Sequence, residues 1–548
     1  YIYIYIYIYM DTETRDNYGA PPPVVRSTTI GYNEEKEPSL VSLIGGLAEK
    51  TGMHGLPNVQ RSSSHCRKFF WLFITVSGLG LLIWQIVMAV QQFYSYPTTT
   101  TEISQNTPSL QFPAVTICNL NPVRVHAIHE AGEDIRSLFR GRESNENGEV
   151  NDRPPKFFNW DTEEDDIEDE DFTRSTKFIQ YFAALEPKDR KAIGSNISSL
   201  LISCTFNGRK CGPKNFTYFS NYLYGNCFTF NAFLSKNSSK RLVSNKPGPL
   251  YGLSMTLFIN QGEYVKDVAE TAGARVIVHD QTDMPFPEDM GISTAPGTMS
   301  SIGIRLIKHF REDPPHGKCK NFTSSEIKLR NGFLQELKNI SYSEQACKKT
   351  CYQQNVILKC GCADPIYNFE GEAFALESAA HKVEIEPCRL DNNTETMCKN
   401  KIQTDFSNGN LNCQTKCPPA CVEDEYNLAA SYSAWPSNVK IGDTIDILFN
   451  RNEELYDLLT NKPVEARKNF VTENVLKVNV YFSSLSYSQI TTAASYGVVN
   501  LLSDLGGQVG LWLGFSVITL FEFFELAVDV GFLCCYKFKS KSLPKVTP

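Results

Sequence analysis

The sequence predicts an α/β membrane protein with two transmembrane helices and a large disulfide-rich extracellular domain between them. Three observations carry this reading. Two long apolar runs lie near the two ends of the 548-residue chain. Of its 17 cysteines, 14 fall between those runs, an even number, as a disulfide framework in an oxidising compartment requires. All six Asn-x-Ser/Thr sequons fall there as well, at Asn196, Asn215, Asn237, Asn321, Asn339 and Asn392. A net charge of −8 gives no reason to expect nucleic acid as a partner.

Taken in order, residues 1–68 are expected in the cytoplasm. Residues 1–9 alternate Tyr and Ile strictly and are followed by Met10, a pattern foreign to coding sequence. They are set aside as an artefact, with Met10 read as the start. Residues 11–38 are polar, contain the run Pro21-Pro22-Pro23, and read as disordered. Residues 40–60 hold Thr51-Gly52-Met53-His54-Gly55, a candidate membrane-proximal segment; a His-Gly pair alone is equally a loop. Residues 69–92 are the first span, because FFWLFITVSGLGLLIWQIVMAV is uncharged and long enough to cross a bilayer. More than 50 residues precede it, which excludes a cleavable signal peptide. Arg67 and Lys68 stand before it, and Lys537, Lys539, Lys541 and Lys545 follow the second run. Positive residues stay inside, so both termini, including residues 536–548, are expected in the cytoplasm.

Residues 93–496 are the expected extracellular domain. QFPAVTICN at 111–119 reads as β-rich, and DTEEDDIEDED at 161–171 as a solvated, self-repelling loop. Residues 172–185 suit a helix with Phe178, Ile179, Phe182 and Leu185 on one face, ended by Pro187. Residues 251–259, 274–279 and 301–309 suit strands. Residues 343–356 suit a helix capped by Ser343, which places Cys347 and Cys351 on one side. Residues 451–460 look helical, and Leu476, Val478, Val480 and Phe482 alternate with polar residues in a strand leading to the second run. Cysteine clusters of this kind suggest zinc in a cytosolic protein. Outside the cell they read as disulfides, and no metal or cofactor is expected. The chain has no G-x-S-x-G, H-E-x-x-H, phosphate-binding P-loop or strand-linked G-x-G-x-x-G, which speaks against an enzyme.

Residues 497–535 hold the second span, uncharged between Asp504 and Glu522. At about 100° per residue, Asp504, Gln508, Leu511, Phe515, Ile518, Glu522, Glu525 and Asp529 share one face. Polar residues inside a membrane are costly and point to a pathway. The other reading is helix packing through Gly506, Gly510 and Gly514 at four-residue spacing.

Several segments together resemble the degenerin/epithelial sodium channel superfamily. They are His54-Gly55, FPAVTICN at 112–119, YGNCF at 224–228, CKKTC at 347–351, CGC at 360–362, Cys413 to Cys421 followed by Tyr426 and Trp435-Pro436-Ser437, and GGQVGLWLGFS at 506–516. The match runs from about His54 to Glu525. The resemblance implies a homo- or heterotrimer, read here as a homotrimer, in the plasma membrane, with an ectodomain of palm, thumb, finger, knuckle and β-ball. It implies Na⁺ permeation, block by amiloride, and the disulfides Cys118–Cys227, Cys204–Cys211, Cys319–Cys421, Cys347–Cys417, Cys351–Cys413, Cys360–Cys398 and Cys362–Cys388. It implies that Gly514, Phe515 and Ser516 break the second helix as a selectivity filter, with Glu522 and Glu525 beneath. Ser503, Asp504, Gly506, Gly507 and Gln508 then line the pore and gate, and a large side chain in place of Ser503 holds the channel open.

Within the superfamily the pattern looks most like the invertebrate FMRFamide-gated sodium channels. Residues 94–102 hold no histidine of the kind acid-sensing relatives carry, and 14 cysteines leave no room for extra ones. A small amidated extracellular peptide is therefore the expected ligand; proton gating or a standing leak is the alternative. From another class, a non-conducting two-span receptor or adhesion protein is the competitor. Phe157, Trp160, Asp161, Phe178, Tyr181 and Phe182 are the candidate peptide contacts, since a cationic aromatic ligand suits acidic and π surfaces. The plainer reading is a helix core beside a solvated loop.

Overall fold

The computed structural model of the chain describes residues 55–128, 170–232, 241–265, 268–323, 341–367, 385–389, 392–449, 459, 462–514, 516, 519, 521, 523–528 and 530–532. The chain divides into two compact units, Tyr1–Gln91 with Val499–Pro548, and Gln92–Val498.

In the first unit, α1 (Leu56–Arg61) precedes α2 (His65–Tyr94). At 30 residues and about 1.5 Å each, α2 is roughly 45 Å long. Among the described residues it is the one helix long and apolar enough to cross a membrane. Its large apolar side chains face outward; Phe69, Phe73 and Trp84 are each more than half exposed.

The second unit is built on strands. In chain order they are β1 (Thr98–Asn106), β2 (Leu110–Gln111), β3 (Ala114–Asn119), β4 (Leu201–Phe206), β5 (Arg209–Lys210), β6 (Phe216–Asn221), β7 (Gly225–Phe230), β8 (Val243–Ser244), β9 (Leu253–Phe258), β10 (Ala274–His279), β11 (Ile292–Thr294), β12 (Thr298–Phe310), β13 (Val422–Ala434) and β14 (Val475–Ala494). The principal helices are α3 (Glu170–Ala184), α4 (Pro187–Ile193), α5 (Glu344–Cys360), α6 (Asn393–Ser407), α7 (Ile441–Phe449) and α8 (Val464–Asn474). After β14 the chain enters α9 (Val498–Leu513) of the first unit.

A seven-stranded sheet runs β13-β12-β14-β9-β4-β5, with β1 also on β14. A five-stranded sheet runs β11-β10-β3-β7-β6. Their inner faces share one core: Val115 and Ile117, Phe228 and Phe230, Val276 and Val278 from the smaller sheet meet Leu253, Met255, Ile302, Ile304, Leu476, Val478, Val480 and Phe482 from the larger. Alternation in 476–482 holds only on that inner face. Val475 and Asn479 on the other face are also buried, because Ile441 and Ile445 of α7 and Val471 of α8 cover that side. The far half of β14 pairs with β1 from Thr98↔Ala494 to Asn106↔Ser486.

The thumb-like part is α5 and α6 stapled by cysteine. Ser343 caps α5 by accepting from the Ala346 N–H, and Gly361 ends it at φ 74°, a left-handed conformation that a side chain disfavours. Cys347–Cys417, Cys351–Cys413, Cys360–Cys398 and Cys362–Cys388 cross this region, with Cys319–Cys421 at its base. Cys118–Cys227 joins directly opposed residues of β3 and β7, and Cys204–Cys211 closes the β4–β5 turn. These seven pairs are the ones the resemblance implies.

Several expectations shift. The helix expected at 172–185 is α3, and Pro187 opens α4 rather than merely ending what precedes it; proline suits a first helical position. The strand expected at 301–309 is the longer β12. Of the helix expected at 451–460 only Leu459, helical and fully buried, is among the described residues, and α7 precedes it. Strand β13, absent from the sequence expectations, is an edge strand with mostly exposed residues; Tyr426 and Leu428, two apart on one face, pack against the core. Phe112, fully buried, packs its ring 4.9 Å from Phe206 and 6.0 Å from Phe482. Replacing Phe112 by Ala should cost about 3–5 kcal/mol, read as a lowered unfolding midpoint of purified protein, whereas Leu250→Ala, at a side chain 80% exposed, should stay within about 0.5 kcal/mol. Equal effects of the two would contradict the assigned core.

Candidate ion pathway and acidic cavity

Helix α9 carries Ser503, Asp504, Gly506, Gly507 and Gln508, and stops at Leu513. Its 16 residues span about 24 Å, short of the roughly 30 Å hydrocarbon core. The stop is Gly514, whose N–H makes a last helical bond to the Gly510 carbonyl at 2.9 Å while its φ turns to +64°. Only glycine takes that conformation without strain. Helical backbone returns at residues 519, 521 and 523–528. The second run is therefore not one uninterrupted helix, and the single polar face drawn across it at helical spacing loses register at Gly514.

Ser516 begins the recovery. Its hydroxyl lies 3.2 Å from the Thr519 hydroxyl and accepts weakly from the Thr519 N–H, while its own N–H donates to Thr519 Oγ1 at 3.1 Å. This is the reciprocal bonding of a helix cap. Thr519, nearly fully buried, is a partner that motif reading passed over. Ser503, Asp504, Gly506 and Gly507 are exposed, and a Cβ at either glycine would meet nothing within 4 Å. Gln508 Oε1 is buried without a hydrogen-bond partner. Glu525 is exposed; Phe515, Glu522 and Asp529 lie outside the described side chains.

Gly55 sits at φ 93° ahead of α1, and a Cβ there would fall 2.3 Å from Thr75 Oγ1 of α2. That contact is ten residues into α2, about 15 Å along it. His54 lies outside the described residues, as do Phe157, Trp160 and Asp161. Phe178 and Phe182 are interior, stacked at 5.5 Å in a core with Val123 and Ile193. Their ring faces are spent on packing, which corrects their assignment as ligand contacts; Tyr181 is half-buried beside them. Of the sequons, Asn196, Asn215 and Asn321 are exposed, and Asn392 is half-buried with its Nδ2 donating to Glu395. Asn237 and Asn339 lie outside the described residues.

A cavity of about 430 Å³ opens between the 277–290 segment, the start of α5 and the start of β13. Asp280, Asp283, Glu344, Glu423, Asp424 and Glu425 line it, with Met284, Phe286 and Met290 among its apolar walls. The signal was legible only in hindsight, as VEDEY after Cys421 and the two aspartates after His279. Lys308 and Arg311 of the β12 side hold Asp424 and Glu423, and His309 reaches Glu425 at 2.8 Å. Asp283 has no such relief. Burial, then Asp280, Glu423 and Asp424, push its carboxyl up to about 8. Burial likewise holds His279 down to about 4, so it is neutral. Its Nδ1–H then donates to the Asp280 carbonyl, and Nε2 accepts from Thr116.

A family model described as amiloride-sensitive sodium channel matches residues 47–526. The chain is similar to the epithelial sodium channel subunit alpha of Neoceratodus forsteri, 28% identical over 91% of this chain and 82% of that protein. It is similar to subunit gamma-2 of Xenopus laevis at 26%, covering 89% and 80%. It is also similar to subunit gamma of Rattus norvegicus at 25%, covering 89% and 82%.

Asp283 makes stability depend on pH. Its folded value lies above the ordinary 3.8, so the native state keeps a proton the unfolded chain releases. That contribution is complete below about pH 4 and is lost as pH rises through about 8. Asp283→Asn should flatten the fall of the unfolding midpoint between these limits. Identical slopes for the two proteins would contradict the assignment.

Proposed function

Given that the chain belongs to the amiloride-sensitive sodium channel family, and so is a sodium channel of the plasma membrane rather than an enzyme, we propose how it is built and opened. Three copies surround one pore, each crossing the membrane twice with both termini inside. The first span is residues 69–92 and the second 497–535, with the extracellular domain at 93–496. The observation that carries this reading is the break at Gly514 inside an uncharged run. Irregular backbone is tolerated at membrane depth only where it lines water or is buried in protein. Its carbonyls can then replace ion hydration. Gly514, Phe515 and Ser516 form the filter, and Glu522 and Glu525 concentrate cations at the inner mouth. Ser503, Asp504, Gly506, Gly507 and Gln508 form the outer pore and gate. Gln508 Oε1, orphaned within one chain, supports a neighbouring copy, since a buried unpaired acceptor costs about 1–3 kcal/mol.

An amidated, cationic, aromatic peptide opens the channel, and amiloride blocks it. Support comes from the acidic run at 161–171 beside aromatic residues. Glu288 and Asp289, a second acidic pair near the thumb, are ion-paired with Lys349 at 2.5 and 2.6 Å, so their charge is already partnered within the chain. A proton-gated channel is the second reading, favoured by the cavity in which Asp280, Glu344, Glu423, Asp424 and Glu425 gather around Asp283. The relatives are alpha and gamma subunits, so assembly with other chains is the alternative to a homotrimer.

Expression of the chain alone should give an amiloride-sensitive sodium current when FMRFamide is applied. A current evoked only by acid supports the second reading; a standing current without ligand excludes both ligands. No current from chains proven to be at the surface excludes the homomeric channel. Replacing Ser516 by Leu should change the Na⁺/K⁺ permeability ratio or abolish current at intact surface expression, while Ser516→Thr, which keeps the capping hydroxyl, should conduct. An unchanged ratio in Ser516→Leu would remove Ser516 from the filter.

A further inference from the structure

Trp512 is the second residue before the break at Gly514. Its indole Nε1–H donates to Gln85 Oε1 of α2 at 2.7 Å. Both residues belong to the same compact unit. Apart from the tryptophans, the run 69–90 holds three polar side chains, Thr75, Ser77 and Gln85. Thr75 bonds its own helix, to the Trp71 carbonyl; Gln85 bonds the other one. One face of α2 is shaped for this contact. Gly78, Leu82, Gln85 and Ala89 follow one another at helical spacing, and Leu82 and Ala89 are the buried residues of α2. At Gly78 a Cβ would lie 3.7 Å from the indole Cε3 and 3.9 Å from the Trp512 carbonyl, ordinary contact distances that place the indole and its peptide against this face of α2.

We infer that Gln85 is a positioning residue of the ion pathway, fixing the height and rotation of the last turn of α9 through the Trp512 indole. The inference rests on the channel reading, in which the backbone at Gly514 faces permeating ions. An indole N–H in hydrocarbon has no water to turn to, so its one acceptor decides where the ring sits. The ring is two residues from the first backbone that departs from the helix. Sites of this kind tolerate displacements of only about 0.5 Å, and a last turn free to rotate moves its carbonyls by more than that. Gln85 touches no ion; it acts through Trp512.

The test is a double-mutant cycle in the full chain, with Gln85→Leu, Trp512→Phe and the pair. Reversal potentials are measured with Na⁺ and K⁺ on opposite sides, and surface expression is quantified. Each single variant should lower the Na⁺/K⁺ permeability ratio about 3- to 18-fold, the range a side-chain hydrogen bond between membrane helices spans. The pair should fall no further than the larger single effect. Unchanged ratios, or effects that add, would overturn the inference. A wild-type chain that carries no current would defeat the channel reading instead. The hydrogen bond is then read directly from the indole ¹⁵N–¹H resonance of Trp512, assigned by its absence in Trp512→Phe. Gln85→Leu should shift that proton upfield, and an unmoved resonance would overturn the inference on its own.

Discussion

Inside a hydrocarbon layer every backbone N–H and C=O needs a partner, and each one left without costs several kcal/mol. Helix α2 meets that requirement by running unbroken for 30 residues. The second apolar run does not. Its helix stops at Leu513, turns through Gly514 at φ +64°, and is recapped by Ser516 and Thr519. A helix end leaves its last carbonyls without intrahelical donors and carries the negative end of the helix dipole. Those carbonyls need water, a cation or another chain. In the channel proposed above, those carbonyls line the sodium pathway, with the glycine supplying the turn and the serine limiting its length.

The extracellular unit is arranged around a strand that leads to this point. β14 is buried on both faces where it starts, and half-exposed where it pairs with β1. Three residues separate Tyr94 of α2 from Thr98 of β1, and three separate Ala494 of β14 from Val498 of α9. One hydrogen-bonded ribbon is thus joined covalently to both helices. The thumb-like helices α5 and α6 are held by cysteine rather than by a large core, and ion pairs fix them locally. Lys349 stands over the Phe286 ring at 4.1 Å and pairs with Glu288 and Asp289. Beside this neutralised cluster lies a cavity whose carboxylates exceed the cations available to them, and Asp283 carries the surplus as a retained proton.

Much of this was legible in the residues. The cysteine count and the spacing of the apolar runs placed a disulfide-bonded domain between two long apolar runs. Period-two alternation found β14, and Ser343 with the spaced cysteines found α5. The motif GGQVGLWLGFS marked the broken segment. What stayed hidden is tertiary. β13 carries a period-two pattern through Tyr426, Leu428, Ala430 and Tyr432, but Asp424 interrupts it and its edge position leaves most of it exposed. Phe178 and Phe182 look the same in sequence whether they face a ligand or each other, and only burial separates the cases. The acidic cavity joins residues near 280, 344 and 424, and no local pattern announces that meeting. Thr519 and Gln85 matter through single hydrogen bonds to residues elsewhere, which spacing does not encode.

The central claim is that the break in the second run lies in water. Backbone hydrogen–deuterium exchange of the full chain in lipid nanodiscs measures this directly. The account predicts that amides from Leu513 to Thr519 exchange orders of magnitude faster than those of residues 79–87 in the unbroken α2. Equal, deep protection of both stretches would mean that the break is sealed in protein or lipid, and the pathway would have to be sought elsewhere.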